Sequence, residues 1–211
     1  MFGEKIVAVP GFLAEETFRG LLNTFQRQRQ SQRVHIPVHK RGAALSYHDL
    51  QHSAPEIISF YRSPHLHDWC SLVVGDPVVP TPPNDLSSCS ILIYDKPRDH
   101  IRWHYDINFY RGRHFTALLS LVNRNKEGTG LSSAKLMVRR KSVDIEIPTP
   151  PNTFVLFEGA CVYHGVTALG EGECRVILSM TFCTEPAAGK LQTLERRFKD
   201  IAYFGLRALW T

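Results

Sequence analysis

The spacing of apolar side chains changes character near residue 88. Before that point they recur every three or four positions. Phe12, Phe18, Leu21, Leu22 and Phe25 alternate with Glu15, Glu16, Arg19, Asn23 and Gln26, which predicts an amphipathic helix. Residues 26–33 are polar and read as a loop, and residues 42–51 read as irregular. Ser53-Ala54-Pro55-Glu56 predicts a helix start, with Ser53 as cap, Pro55 in the first turn and Glu56 three residues after the cap. Ile57, Ile58, Tyr61, Trp69, Leu72 and Val73 supply further apolar faces, interrupted at Pro64. The Pro-rich run 76–87 predicts a rigid, non-helical connector.

Beyond residue 88 the runs become short, β-branched or aromatic, and punctuated by Gly, Pro or Asn. Strands are predicted over 90–94, 115–122, 135–138, 143–147, 153–157 and 175–183. That texture belongs to a sandwich or barrel. The pattern returns to helix over 189–209, where Leu191, Leu194, Phe198, Ile201 and Ala202 share a face opposite Glu195, Arg196, Arg197 and Lys199. The chain therefore reads as one mainly β domain: helical support over 1–88, a β core over 89–185 and a closing helix over 186–211. The first helices are too few to form a core alone, so they are expected to pack on one sheet of the β core.

Composition adds limits. The chain has 211 residues, 43% hydrophobic and 21% charged, which is ordinary for a globular domain. The net charge of +5 is spread over scattered residues, among them Arg27, Arg29, Lys40, Arg41, Arg111, Arg113, Arg139 and Arg140. No stretch interleaves them with aromatics as a nucleic-acid platform would. The five cysteines are odd in number and form no CxxC pair, which argues against a disulfide framework and a zinc ribbon. With no signal-like N-terminus and no apolar run of membrane-spanning length, a cytoplasmic enzyme with reduced thiols and no membrane partner is expected.

The chemistry is expected from Trp103-His104-Tyr105-Asp106. On an extended segment His104 and Asp106 point to one face, so a single strand would offer two metal ligands. Alone, the triplet is also what a surface turn containing a histidine would show. His164, at the end of a second short strand after the Glu158-Gly159 turn, is placed to supply a third ligand. Such a facial set leaves open positions and suits iron(II). Arg175 follows His164 by 11 residues and opens an apolar strand. There Arg175, Ile177, Ser179 and Thr181 share one face. An inward arginine is costly to bury without an anion, and its planar fork suits a carboxylate. A salt bridge to Glu171 or Glu173 is the plainer alternative.

His104-x-Asp106, then His164, then Arg175, resembles the pattern of the iron(II)/2-oxoglutarate oxygenases. Within them it is similar to the compact branch that holds prolyl 4-hydroxylases and hydroxylases of free amino acids. The likeness spans about residues 90–184. It implies a double-stranded β-helix (jelly roll, cupin-like) core. It also implies Fe(II) on His104, Asp106 and His164, with 2-oxoglutarate as cosubstrate anchored by Arg175, and O2. Tyr94, ten residues before the first ligand, matches a tyrosine of that branch and would contact the cosubstrate; Ser179, on the face of Arg175, and, more weakly, Thr116 and Ser120, on an inward strand, are expected to line the same pocket. The carboxylate ligand implies hydroxylation rather than halogenation, with release of succinate and CO2. A small polar metabolite such as a free amino acid is the expected substrate. Asn108, Tyr110, Arg111 and Arg113, on the polar loop after Asp106, are the candidate substrate contacts. His65, His67, His100 and His114 read as bystanders, and Trp103 as packing. Two alternatives stay open: the same chemistry on a protein or nucleic acid, or a cupin-like barrel that binds zinc for hydrolysis or simply holds a ligand.

Overall fold

The computed structural model describes residues 2, 4–27, 32–36, 40–187, 195 and 200, and for 32–36 the backbone alone. The first element, β1 (Ile6–Val9), precedes helix α1 (Glu15–Gln26). Strands β2 (Gln32–Ile36) and β3 (Lys40–Leu45) follow, then helices α2 (Tyr47–Ser53), α3 (Pro55–Tyr61) and α4 (Pro64–Val74). The short β4 (Val79–Pro80) leads into β5 (Cys89–Tyr94), β6 (His100–His104) and β7 (His114–Arg124). The remaining strands are β8 (Leu136–Arg140), β9 (Val143–Ile147), β10 (Phe154–Glu158), β11 (Tyr163–Val166) and β12 (Cys174–Cys183).

These strands pair antiparallel in the order β1-β10-β7-β12-β5-β3-β6-β11-β8-β9, with β2 added on β3 and β4 on β12. The sheet curls into a nearly closed barrel, the double-stranded β-helix expected from the strand texture. Period two divides its strands cleanly. Val176, Leu178, Met180 and Phe182 of β12 join Phe115, Ala117 and Leu119 of β7 in a core shared with α1 to α4. The opposite face, with Tyr94, Ile101, Leu118, Leu136, Phe157, Val166 and Ile177, lines the barrel interior. Helix α2 packs on β3 and β5, as sheet-covering helices do.

The six strands predicted beyond residue 88 fall where the periodicity puts them, β9 over the predicted residues and β5, β7, β8, β10 and β12 within a residue or two. The first third departs from expectation. It holds three strands besides its helices, and residues 42–51 are not irregular. Gly42, Ala43, Ala44 and Leu45 are small or apolar and buried, so they fit as a strand between β5 and β6. Ser46 then caps α2 reciprocally: its hydroxyl accepts the Asp49 N–H at 3.2 Å, and the Asp49 carboxylate accepts the Ser46 N–H at 2.8 Å. The expected cap at Ser53 is displaced to Ala54, because Ser53 still belongs to α2 and its hydroxyl donates to the Asp49 carbonyl. The predicted C-terminal helix over 189–209 lies outside the described residues, save the helical Glu195 and Asp200.

At one margin of the sheet, β9 alternates exposed Val143 and Ile145 with Asp144 and Glu146. These two acids pair with Arg139 and Lys135 at 2.6 and 2.7 Å. The five cysteines are free thiols, with Cys70, Cys89 and Cys183 buried. Among the described residues no helix is long and apolar enough to cross a membrane.

Leu119 on β7 is fully buried between β10 and β12. Leu119→Ala is expected to cost about 2–5 kcal/mol of unfolding free energy in a denaturant titration, the range for a buried leucine.

Candidate metal and cosubstrate site

The sheet brings His104, at the end of β6, directly opposite His164 on β11. Their rings lie 4.3 Å apart, centroid to centroid. Each imidazole donates its Nδ1–H to the backbone carbonyl two residues earlier, His104 to Arg102 at 2.8 Å and His164 to Val162 at 2.9 Å. The Nε2 lone pairs are thereby left for a common acceptor, the usual arrangement behind metal-binding histidines. Asp106 Oδ1 lies 3.4 Å from His104 Nε2 and 3.7 Å from His164 Nε2. The three candidate ligand atoms lie within 4.8 Å of one another, close enough to share one ion.

Strand alternation alone does not produce this convergence. β6 ends at His104, and Ile101 pairs with Val166 while His104 pairs with His164. Three steps on β6 match two on β11, a β-bulge that turns both Ile101 and His104 into the cavity. Gly165 permits it, since a Cβ there would sit 3.1 Å from the Ile101 carbonyl and 3.1 Å from the Trp103 nitrogen. His164 comes near the start of its strand, not at the end. Asp106 lies beyond β6, where Thr116 donates its hydroxyl to Oδ2 at 2.6 Å.

Burial works against the charge on Asp106. The neighbouring His104 and the fields of His164 and His114 overcome it and hold the carboxyl well below its ordinary range. Burial also pushes His164 down, against the pull of Asp106, which favours the neutral imidazole a metal requires.

Arg175 is 1% exposed and stands across the ladder from Tyr94, its guanidinium 5.6 Å from the Tyr94 ring centre. Among the described residues its one hydrogen bond from the fork is a long one, Nη2 to Thr149 Oγ1 at 3.4 Å, and the buried Nε–H meets no acceptor. Neither acid proposed as its neutraliser reaches it: Glu173 instead accepts from Ser133 and Gly170. Among the described residues no carboxylate forms an ion pair with Arg175, and burial lowers its basicity. A buried guanidinium with an unused donor fits the far carboxylate of a dicarboxylic acid such as 2-oxoglutarate, while two imidazoles and a carboxylate fit iron(II).

One cavity of about 860 Å³ joins the two features. Tyr94 and Ser179 line it as expected, Ser179 beside Ser90 on the neighbouring strand. Thr116 lines it too, with its hydroxyl engaged by Asp106. Ser120 does not; its hydroxyl is given to the Thr149 carbonyl. None of the four loop candidates for substrate contact lines the cavity. Asn108 closes its own loop through Gly112 and Tyr110, and Tyr110 is buried with its hydroxyl on Asp85 at 2.7 Å. Arg113 grips Glu158 through Nε and Nη2, and Arg111 is exposed. The lining positions of that loop are Tyr105, Ile107 and Phe109. His114 also lines the cavity, two residues before Thr116, a placement that period two on β7 could have revealed. Lys40 is a further lining residue, 2% exposed and pushed down to about 8 by burial; nothing in its sequence surroundings marks it. His100 and Trp103 stay outside the cavity, Trp103 stacked on Tyr163 beneath Arg139.

Glu158 collects Arg113 and, at 2.7 Å, Lys5. The Arg113 hydrogen bond, opposed by burial and aided by Lys5, holds the carboxyl down to about 2, below its ordinary 4.5. A carboxylate depressed on folding stabilises fully above its unfolded value and loses that contribution as pH falls toward the folded one. Thermal melts from pH 7 down to pH 2 should therefore show Glu158→Gln less stable than the parent at neutral pH. The gap should narrow below about pH 4.5.

No protein-family model matches the chain, and no curated protein sequence matches it. Solved structures do. A prolyl-4-hydroxylase from Pseudomonas putida superposes with a TM-score of 0.63 at 14% identity, over 87% of this chain and 94% of that one. A 2OG-Fe(II) oxygenase family oxidoreductase from Burkholderia pseudomallei gives 0.67 at 14% identity, over 89% of each chain. The epimerase SnoN, in complex with Fe3+, alpha ketoglutarate and nogalamycin RO, gives 0.65 at 14% identity, over 85% of this chain and 78% of that one. At such identities the likeness is one of fold: the chain is built on the double-stranded β-helix of the iron(II)/2-oxoglutarate oxygenases.

Proposed function

We propose that this protein is an iron(II)- and 2-oxoglutarate-dependent dioxygenase that oxidises a C–H bond of a small molecule, releasing succinate and CO2. One observation carries the reading. A facial His104–Asp106–His164 set and a fully buried Arg175 without an acidic partner among the described residues open into one cavity. When bound, iron and 2-oxoglutarate would together supply the activation of O2 and the oxidising power.

The chain's own task is placement. His104, Asp106 and His164 would hold the metal from one side. Arg175, with Tyr94 across the ladder, would seat the far carboxylate of the cosubstrate, and Ser179, beside Ser90, would line the cavity farther along β12. Leu118, Leu136, Phe157, Val166 and Ile177 wall that end of the cavity and keep water from it. Arg175 also separates this reading from a zinc hydrolase, which has no need of a buried guanidinium in the same cavity.

The substrate end carries Ser87, Ser90, His114 and Thr181, with Phe109. Those hydroxyls and the imidazole support a polar metabolite, with free amino acids first to be screened, and the volume suits a cosubstrate together with a small molecule. SnoN, with nogalamycin RO bound, is a neighbour that takes a small molecule on this fold. A second reading, a peptide substrate, is favoured by one feature: Tyr105 and Ile107, flanking Asp106 at the cavity mouth, are 53% and 63% exposed. A prolyl hydroxylase from Trichoplax adhaerens, in complex with a hypoxia inducible factor peptide fragment, is likewise similar in fold, with a TM-score of 0.60 at 12% identity.

Anaerobic addition of Fe(II) and 2-oxoglutarate should give a weak visible charge-transfer band, absent in His104→Ala, which should also abolish succinate release. Tight zinc binding with no such band would favour hydrolysis instead. A screen of amino acids, peptides and nucleotides for stimulated succinate release would identify the substrate class.

Arg175→Ala removes a charge-assisted pair worth roughly 1.5–3 kcal/mol. It should raise the 2-oxoglutarate KM by about 10- to 150-fold. An unchanged KM would remove Arg175 from the site.

A further inference from the structure

Asp106 stands beyond the last residue of β6, so the ladder does not place its side chain. Two hydrogen bonds do: the Asp106 N–H to the Gly159 carbonyl at 3.1 Å, and the Thr116 hydroxyl to Oδ2 at 2.6 Å. A third constraint is steric. A Cβ on residue 159 would lie 2.3 Å from Asp106 Oδ2, 2.6 Å from its Cβ and 2.8 Å from its Cγ. Atoms essentially never approach a Cβ so closely.

Glycine is not needed at 159 for the backbone. Among the described residues the glycines with positive φ are Gly11, Gly75, Gly128 and Gly172, and Gly159 is not one of them. What residue 159 cannot accept is a side chain in the space the Asp106 carboxylate fills. The turn itself is held firmly. Glu158 is bound by Arg113 and Lys5, its N–H reaches the Lys5 carbonyl at 2.9 Å, and its carbonyl accepts Cys161 N–H at 2.9 Å. The turn is thus poorly able to retreat from a new methyl group, and Asp106 would have to yield.

We infer that Gly159 is a positioning residue for the Asp106 carboxylate: its bare Cα and its carbonyl, fixed by the Glu158–Arg113–Lys5 cluster, hold Oδ1 toward His104 and His164. The consequence for metal rests on the oxygenase reading; the steric coupling of residues 159 and 106 does not. Outer contacts that orient a ligand typically govern 10- to 100-fold of metal affinity, which sets the scale.

The test is a double-mutant cycle on the full chain, with Ni(II) as a redox-stable probe. Gly159→Ala should weaken Ni(II) binding by about 10- to 100-fold. In an Asp106→Gly background the same change should leave Ni(II) affinity unaltered, because the group it displaces is gone. Unchanged affinity in Gly159→Ala, or an equal loss in both backgrounds, would overturn the inference. If Gly159→Ala alone does not fold, recovery of folding in Asp106→Gly/Gly159→Ala supports the coupling, and continued failure refutes it. Should the parent chain bind no Ni(II) or Fe(II), the oxygenase reading falls. Melting of the metal-free proteins through the same cycle then still decides the contact. A lowered melting temperature for Gly159→Ala in the Asp106 background alone sustains it, and equal shifts in both backgrounds end it.

Discussion

A carboxylate in a largely apolar chamber is tolerable only when its charge is answered from several sides, and the architecture around Asp106 follows from that requirement. Two imidazoles face one oxygen and a threonine hydroxyl faces the other. Those three partners come from β6, β11 and β7; β6 and β11 are paired, while β12, β5 and β3 separate β7 from β6 in the order of the sheet. They meet because the sheet curls. The curl sets β10 and β7 against the end of β6, and the hydrogen bond from the Asp106 N–H to the Gly159 carbonyl closes the seam. Nothing in β6 alone would hold the carboxylate there.

The same logic runs along β12, with the opposite sign. Its inward face descends from Thr181 and Ser179 to Ile177 and Arg175, so polarity falls away until the guanidinium at the floor. Alternation puts large apolar groups on the reverse face, where they pack against the helices. One strand thereby serves two masters, a binding surface and a hydrophobic core. A slip of a single residue would exchange them.

That strictness is also why much of the site was legible in the sequence. His104, His164 and Arg175 could be read because each lies on a strand, whereas Asp106, read from the same alternation, stands beyond β6 and is placed by its hydrogen bonds instead. The later strands were readable for the same reason. What escaped reading was set by contacts between distant segments. Residues 42–45 look featureless in sequence and become a strand only because β5 and β6 flank them. Asn108, Tyr110 and Arg113 look like solvent-facing loop residues, yet the loop folds inward and spends them on Gly112, Asp85 and Glu158. Lys40 carries no local mark of burial at all. The Ser46–Asp49 capping pair, by contrast, is written in the sequence itself, inside the stretch 42–51 that reads as irregular.

The margin of the sheet formed by β9 has a bearing on how the molecule behaves in a crowded solution. An open strand edge is an invitation to a strand from another molecule, and exposed Val143 and Ile145 would reward such an approach. Alternating with them stand Asp144 and Glu146, already tied to Arg139 on the neighbouring strand and to Lys135 just before it. An intruding chain would have to dehydrate both acids. The two surface ion pairs contribute little to folding, and their larger value is as a fence that keeps this edge from templating fibrils.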